Sequence, residues 1–274
     1  MRSEPLTGAL GAEVFDVDLG DRANLPFAAV EMALLDHKVL VFRGQQLDDA
    51  AQRDFAARFG RVQQFPFGVP VDPLVPEVHA IATGGDAPKT SNADTWHSDA
   101  TFMREPPLGS VLRAVQLPAR GGDTLFADTE MAYEALSAPL RRLVDELTAT
   151  HDFAKSSAHR RPLQDRYPPV SHPVVRVHPT TGRRGLFVNR IFTVALDELT
   201  VRENEALLSM LCDHVQSPDF QCRVRWAPGT VVMWDNRCTQ HYAVCDYRES
   251  RVMHRVVIDG DAPLGVADAT KRRC

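Results

Sequence analysis

Short apolar runs broken at Gly, Pro and Asp recur along this chain, and only a few stretches carry helical spacing. Residues 10–19 mix Val14, Phe15 and Val17 with acidic positions and end at Gly20, the pattern of a strand entering a turn. Residues 26–36 place Val30, Met32, Ala33 and Leu35 at helical intervals, and the strand-like Lys38-Val39-Leu40-Val41-Phe42 follows. Asp48 or Asp49 can cap a helix over residues 50–58, which Gly60 ends. Further strands are predicted at residues 109–115, 124–126, 174–177, 185–188, 221–226, 231–234 and 255–258. Helices are predicted over 130–147 and 201–215, the latter with Leu207, Leu208, Leu211 and Val215 on one face. Strands without regular βαβ alternation predict a mainly β protein with flanking helices, a double-sheet jelly roll of cupin type.

Two segments stand outside this pattern. Residues 65–95, rich in Pro, Gly and short apolar runs, predict a long irregular stretch over a strand or two, and a loop of that length in a compact domain is a candidate lid. Residues 155–171 are polar and basic and predict an exposed insertion. With no repeat and no low-complexity linker, residues 1–274 read as one domain.

Composition narrows the functional classes. A net charge of −5 gives no electrostatic footprint for nucleic acid, and no run approaches the length needed to span a membrane. The N-terminus has no signal-peptide pattern, and the five cysteines are odd in number without CxxC spacing. A cytoplasmic protein with free thiols is expected. Arg outnumbers Lys, which suits pairing with carboxylate, sulfonate or phosphate groups, although a general composition bias accounts for many of these residues equally well.

The chemistry concentrates in Trp96-His97-Ser98-Asp99 and in His241, which follows Trp234-Asp235-Asn236-Arg237. On an extended strand His97 and Asp99 point to the same side. One imidazole and one carboxylate closed by a distant second imidazole make a facial triad for Fe(II) with open positions for substrate and oxygen. Taken alone, HxD arises readily in a chain with ten histidines and reads first as a surface hydrogen bond.

These motifs do not stand alone. With Leu10-Gly11-Ala12-Glu13-Val14, Gly121-Gly122-Asp123-Thr124, His172-Pro173-Val174-Val175-Arg176-Val177-His178-Pro179, Leu186-Phe187-Val188-Asn189 and Arg251-Val252-Met253-His254-Arg255 in this order, the sequence resembles the TauD/TfdA family of Fe(II)- and 2-oxoglutarate-dependent dioxygenases. The resemblance implies a double-stranded β-helix, another name for the jelly roll, with iron held by His97, Asp99 and His241. It implies 2-oxoglutarate as cosubstrate, its remote carboxylate held by Arg251 and the Thr124 hydroxyl, and O2 as oxidant. Arg255 occupies the position that meets an acidic primary substrate, and Ser156 that of a polar substrate contact. His172 and His178, each before a proline, are expected to be structural, and Trp234 and Asp235 to support the His241 strand.

The implied reaction hydroxylates a C–H bond of a small organic acid, such as an alkyl or aryl sulfonate, a sulfate ester or an aryloxyalkanoate, while 2-oxoglutarate becomes succinate and CO2. Taurine dioxygenases carry His and Tyr in the loop corresponding to Phe65-Pro66-Phe67-Gly68, and their absence here argues against taurine. Phe65, Phe67, Phe102 and Phe192 are candidates to line a more apolar pocket. Two other classes use the same triad: a cupin-like regulatory protein that binds metal without turnover, and a zinc hydrolase. A homo-oligomer, dimer or tetramer, is expected from the family.

Overall fold

The strand Val231–Asp235 is buried along its whole length because it pairs antiparallel on both sides, with Val39–Phe42 and with Gly109–Gln116. In this computed structural model, which describes residues 1–64, 66, 68–85, 93–156 and 165–271, the sheet continues from Gly109–Gln116 through Arg251–Ile258 to Val78–Thr83. At its other end Ala12–Phe15 runs parallel to Val39–Phe42 and is edged by Arg2–Pro5. A second sheet has Thr124–Asp128 at its centre, between Gln221–Val224 and Thr239–Ala243.

Period-two alternation decides which residues meet. Val39, Val41, Leu112, Val232, Trp234 and Met253 of the large sheet share one buried cluster with Phe126, Cys222 and Val224 of the small one. The alternate positions Leu40, Phe42, Val111, Val231, Met233 and Val256 turn the other way. They pack on Val30 and Leu34 of helix Phe27–His37 and on Phe55 and Ala56 of helix Asp49–Ala56. Behind the small sheet, Ala127 packs with Ala132, Val144, Leu211 and Val215 from three helices, Thr129–Ala135, Ala138–Glu146 and Val201–Val215. The result is the jelly roll, two facing sheets with a helical cover on each side.

Several elements differ from expectation. The single helix over 130–147 is two helices, because the chain turns extended at Leu136 and restarts with Pro139 in the first turn of the second. Arg2–Pro5 carries no apolar alternation and is mostly exposed, so its pairing as an edge strand left no periodic signal. Of residues 65–95, positions 65, 67 and 86–92 lie outside the described residues, and the rest contain Val69–Pro70 and Val78–Thr83. Of 155–171, positions 157–164 also lie outside, Asp165 and Arg166 are exposed, and Tyr167 packs edge-on to Phe102. Cys212, Cys222, Cys238 and Cys245 are free thiols. No helix among the described residues is long and apolar enough to cross a membrane.

Buried histidines couple this fold to pH. His151 shares its Nδ1 with the Thr101 hydroxyl at 2.9 Å, and His172 Nε2 with the Met103 carbonyl at 2.9 Å. Burial pushes their pKa values down to about 3 and about 4. A histidine depressed in the folded state contributes its full stability above its unfolded pKa near 6.5, and loses it as pH falls from there toward the folded value. Each contributes up to about 1.4 kcal/mol per pH unit in that window. The urea midpoint of the metal-free protein is therefore expected to fall steadily between pH 7 and 5.5, and a flat midpoint across this range would contradict the assignment.

Candidate active site

The site lies between the two sheets. His241 is in strand Thr239–Ala243, opposite Phe126, and its ring packs 5.0 Å from that of Trp234. His97 forms a lone antiparallel bridge with His241, the two amides exchanging hydrogen bonds of 3.1 and 2.7 Å. Asp99 Oδ1 is 3.9 Å from Nε2 of both His97 and His241, and one ligand atom from each of the three lies within 4.8 Å of the others.

The expected strand through His97 and Asp99 is not there. Only His97 is bridged, while Asp99 begins a turn in which Ala100 adopts φ 50°. The two side chains converge because the backbone turns after the bridge and the Asn236 side chain holds the Asp99 peptide.

The donor set suits a divalent metal. The Thr95 carbonyl, 2.7 Å from His97 Nδ1, selects the tautomer that leaves Nε2 with its lone pair toward Asp99. Burial, with His97 beside it, pushes the His241 pKa to about 3, so the imidazole is neutral as ligation requires. Burial opposes ionisation of Asp99, but the Arg255 guanidinium and the two neighbouring imidazoles together outweigh it and hold the pKa at about 2.

Arg251 and Arg255 project from one face of strand Arg251–Ile258. Arg255 Nη1 donates to both Asp99 oxygens, at 3.1 and 3.3 Å, and its Nε donates to His79 Nε2 at 3.1 Å. Arg251 is 5% exposed, its Nε has no hydrogen-bond partner, and it takes part in no salt bridge among the described residues. Burial pushes its pKa down, opposed by a hydrogen bond with the Tyr247 side chain. The Gly121-Gly122 turn, with both φ positive, lies against it, and a Cβ on Gly122 would come 3.1 Å from Arg251 Cδ. Trp226 links the cation to Thr124: its Nε1 donates to Thr124 Oγ1 at 3.0 Å and its ring lies 5.7 Å from the guanidinium. A buried guanidinium that is held by no carboxylate of the protein is what a remote carboxylate needs.

The other candidates divide. Phe102 and Phe192 pack with ring centroids 4.9 Å apart in a cluster with Phe153, Ala100 and Ile191. The Ser156 hydroxyl donates to the Phe153 carbonyl at 2.9 Å, closing the short turn Phe153–Lys155. Phe65 and Phe67 lie outside the described residues. His178, Asp235 and Cys238 also cluster, but His178 Nδ1 accepts from the Thr180 and Thr181 amides while Nε2 donates to Asp235. Asp235 also takes two guanidinium hydrogen bonds and an amide hydrogen bond from Arg237, so its carboxylate is already committed. Asn236, His79 and Trp226 carry no signal in the sequence, since each acts through a partner far along the chain.

The chain is 38% identical over 278 residues to an alpha-ketoglutarate-dependent sulfate ester dioxygenase of Pseudomonas putida, covering 96% of this chain and 90% of that one. It is 35% identical to a (S)-phenoxypropionate/alpha-ketoglutarate-dioxygenase of Delftia acidovorans, with 91% of each covered. Among solved structures, a taurine dioxygenase from Burkholderia xenovorans superposes with TM-score 0.85 at 36% identity over 97% of this chain and 93% of that one. The model of the taurine catabolism dioxygenase TauD, TfdA family matches residues 2–257, and the protein belongs to that family of 2-oxoglutarate-dependent dioxygenases.

Proposed function

We propose that the protein binds Fe(II) through His97, Asp99 and His241 and hydroxylates a C–H bond of a small organic acid: an alkyl or aryl sulfonate, a sulfate ester or an aryloxyalkanoate. The observation that carries this reading is the pair of buried guanidinium groups on one strand, Arg251 in no salt bridge among the described residues and Arg255 on the Asp99 carboxylate. A dicarboxylate cosubstrate accounts for one cation and an anionic primary substrate for the other. Relatives named for sulfate ester, sulfonate and phenoxypropionate substrates support that class.

Bound iron supplies oxygen activation coupled to decarboxylation of 2-oxoglutarate to succinate and CO2. The chain's own residues bind and orient. His97, Asp99 and His241 would hold the metal, Arg251 and Thr124 fix the remote carboxylate, and Arg255 grips the anionic end of the substrate. Phe102 and Phe192 form an apolar flank that excludes water. All of this machinery lies in one domain spanning 1–274.

Arg255→Gln is expected to raise the KM for the acidic substrate roughly 10²-fold, as loss of a charge-assisted hydrogen bond in a buried site implies, with the KM for 2-oxoglutarate within about twofold. Equal rises in both constants would remove Arg255 from substrate recognition. The direct test adds Fe(II) and 2-oxoglutarate without oxygen, records the visible charge-transfer band, then measures succinate release with one compound of each class. A band that shifts with one compound, with succinate formed in step with its consumption, supports the reading. No band and no succinate would leave a metal-only binder, and sulfate released without oxygen consumption would establish a hydrolase.

A further inference from the structure

The carboxylate ligand sits where the sheet cannot hold it. His97 is bridged to His241, but Asp99 lies past the bridge in a turn with Ala100 at φ 50°, so no strand neighbour fixes its peptide. The side chain of Asn236 substitutes for one. Its Oδ1 accepts from the Asp99 amide at 2.7 Å, and its Nδ2 donates to the Asp99 carbonyl at 3.0 Å and the Pro107 carbonyl at 3.2 Å. Asn236 is itself fully buried, and its own amide donates to the Leu108 carbonyl at 2.8 Å. A parallel tie runs from Ser98 Oγ to the Thr239 carbonyl at 2.7 Å. The turn that leads into strand Thr239–Ala243, and so to His241, therefore also carries the group that seats Asp99.

We infer that Asn236 is a positioning residue for the metal site: by pinning both sides of the Asp99 peptide it aims the carboxylate at the point shared by the two imidazoles, and so sets metal affinity. The geometry favours this over a purely architectural role, because both groups of the Asp99 peptide end on this one side chain. Without it the turn is free to rotate, and Asp99 has a competing partner in Arg255, 3.1 Å away. The inference rests on the triad being the metal site.

The test titrates the metal-free full chain with Co(II), followed by its visible d–d absorption, and measures the melting temperature of each metal-free protein. Asn236→Ala, which removes the clamp and leaves room for water, is expected to weaken Co(II) binding roughly tenfold or more, as loss of a group orienting a ligand does. Asn236→Ser, which keeps a short hydroxyl, should fall between Asn236→Ala and wild type. A Co(II) Kd within about twofold of wild type for both variants, whatever the change in melting temperature, would overturn the inference. So would failure of both to fold, which would make Asn236 a determinant of the fold. The parent reading fails separately: wild type that takes up no Co(II) sinks both, whereas wild type that binds while His241→Ala does not, with Asn236→Ala unchanged, sinks only the clamp.

Discussion

Arg251→Ala is expected to raise the KM for 2-oxoglutarate by roughly 10² to 10³-fold, with a smaller fall in kcat at saturating cosubstrate. Truncating one partner of a desolvated charge pair costs about 2–5 kcal/mol, and each 1.4 kcal/mol is tenfold in affinity. The structure makes the loss specific, because Arg251 supports no salt bridge among the described residues and its Nε has no hydrogen-bond partner. Its removal therefore leaves no carboxylate of the protein stranded, and the fold should tolerate it. Arg251→Lys should recover only part of the affinity, since an ammonium lacks the planar fork. Steady-state succinate formation across 2-oxoglutarate concentrations checks this, and an unchanged KM would dismiss the cosubstrate role.

The second large effect is at the metal. His241→Ala removes one of three buried donors and is expected to lower turnover by about 10³-fold or more, since a bound metal supplies several kcal/mol of catalytic stabilisation. Folding should survive, because His241 Nδ1 has no partner and the bridge to His97 is made by backbone amides. Melting temperature and Fe(II) content measured together separate the two effects. Retained iron and near-normal turnover in His241→Ala would remove this residue from the ligand set.

Much of the architecture was legible because it is local. The continuous apolar runs Val39-Leu40-Val41-Phe42 and Val231-Val232-Met233-Trp234 mark strands, and the period-two geometry of a strand sends one set of side chains to the inter-sheet core and the other to the helices. The helix Val201–Val215 was readable from its apolar face, and its capping box at Thr200 and Glu203 agrees. The boundary at Ser137 was not, because the apolar spacing runs on across the break that Pro139 accompanies.

The site divides in the same way. The donor types and their order are properties of the chain and carry the expectation of a metal site, while the acid-binding roles of Arg251 and Arg255 are what the family resemblance implies. Only the tertiary structure decided that Asp99 leaves the strand direction, that Asn236 holds it, that Arg255 leans on its carboxylate and that Trp226 joins Thr124 to Arg251. The contacts of Asp99 with Asn236 and Arg255, and of Thr124 with Trp226, join positions more than a hundred residues apart in sequence. Their geometry follows from how the two sheets pack and where the turns between strands fall, and no local periodicity encodes a distance between segments that meet only after the sheets have closed.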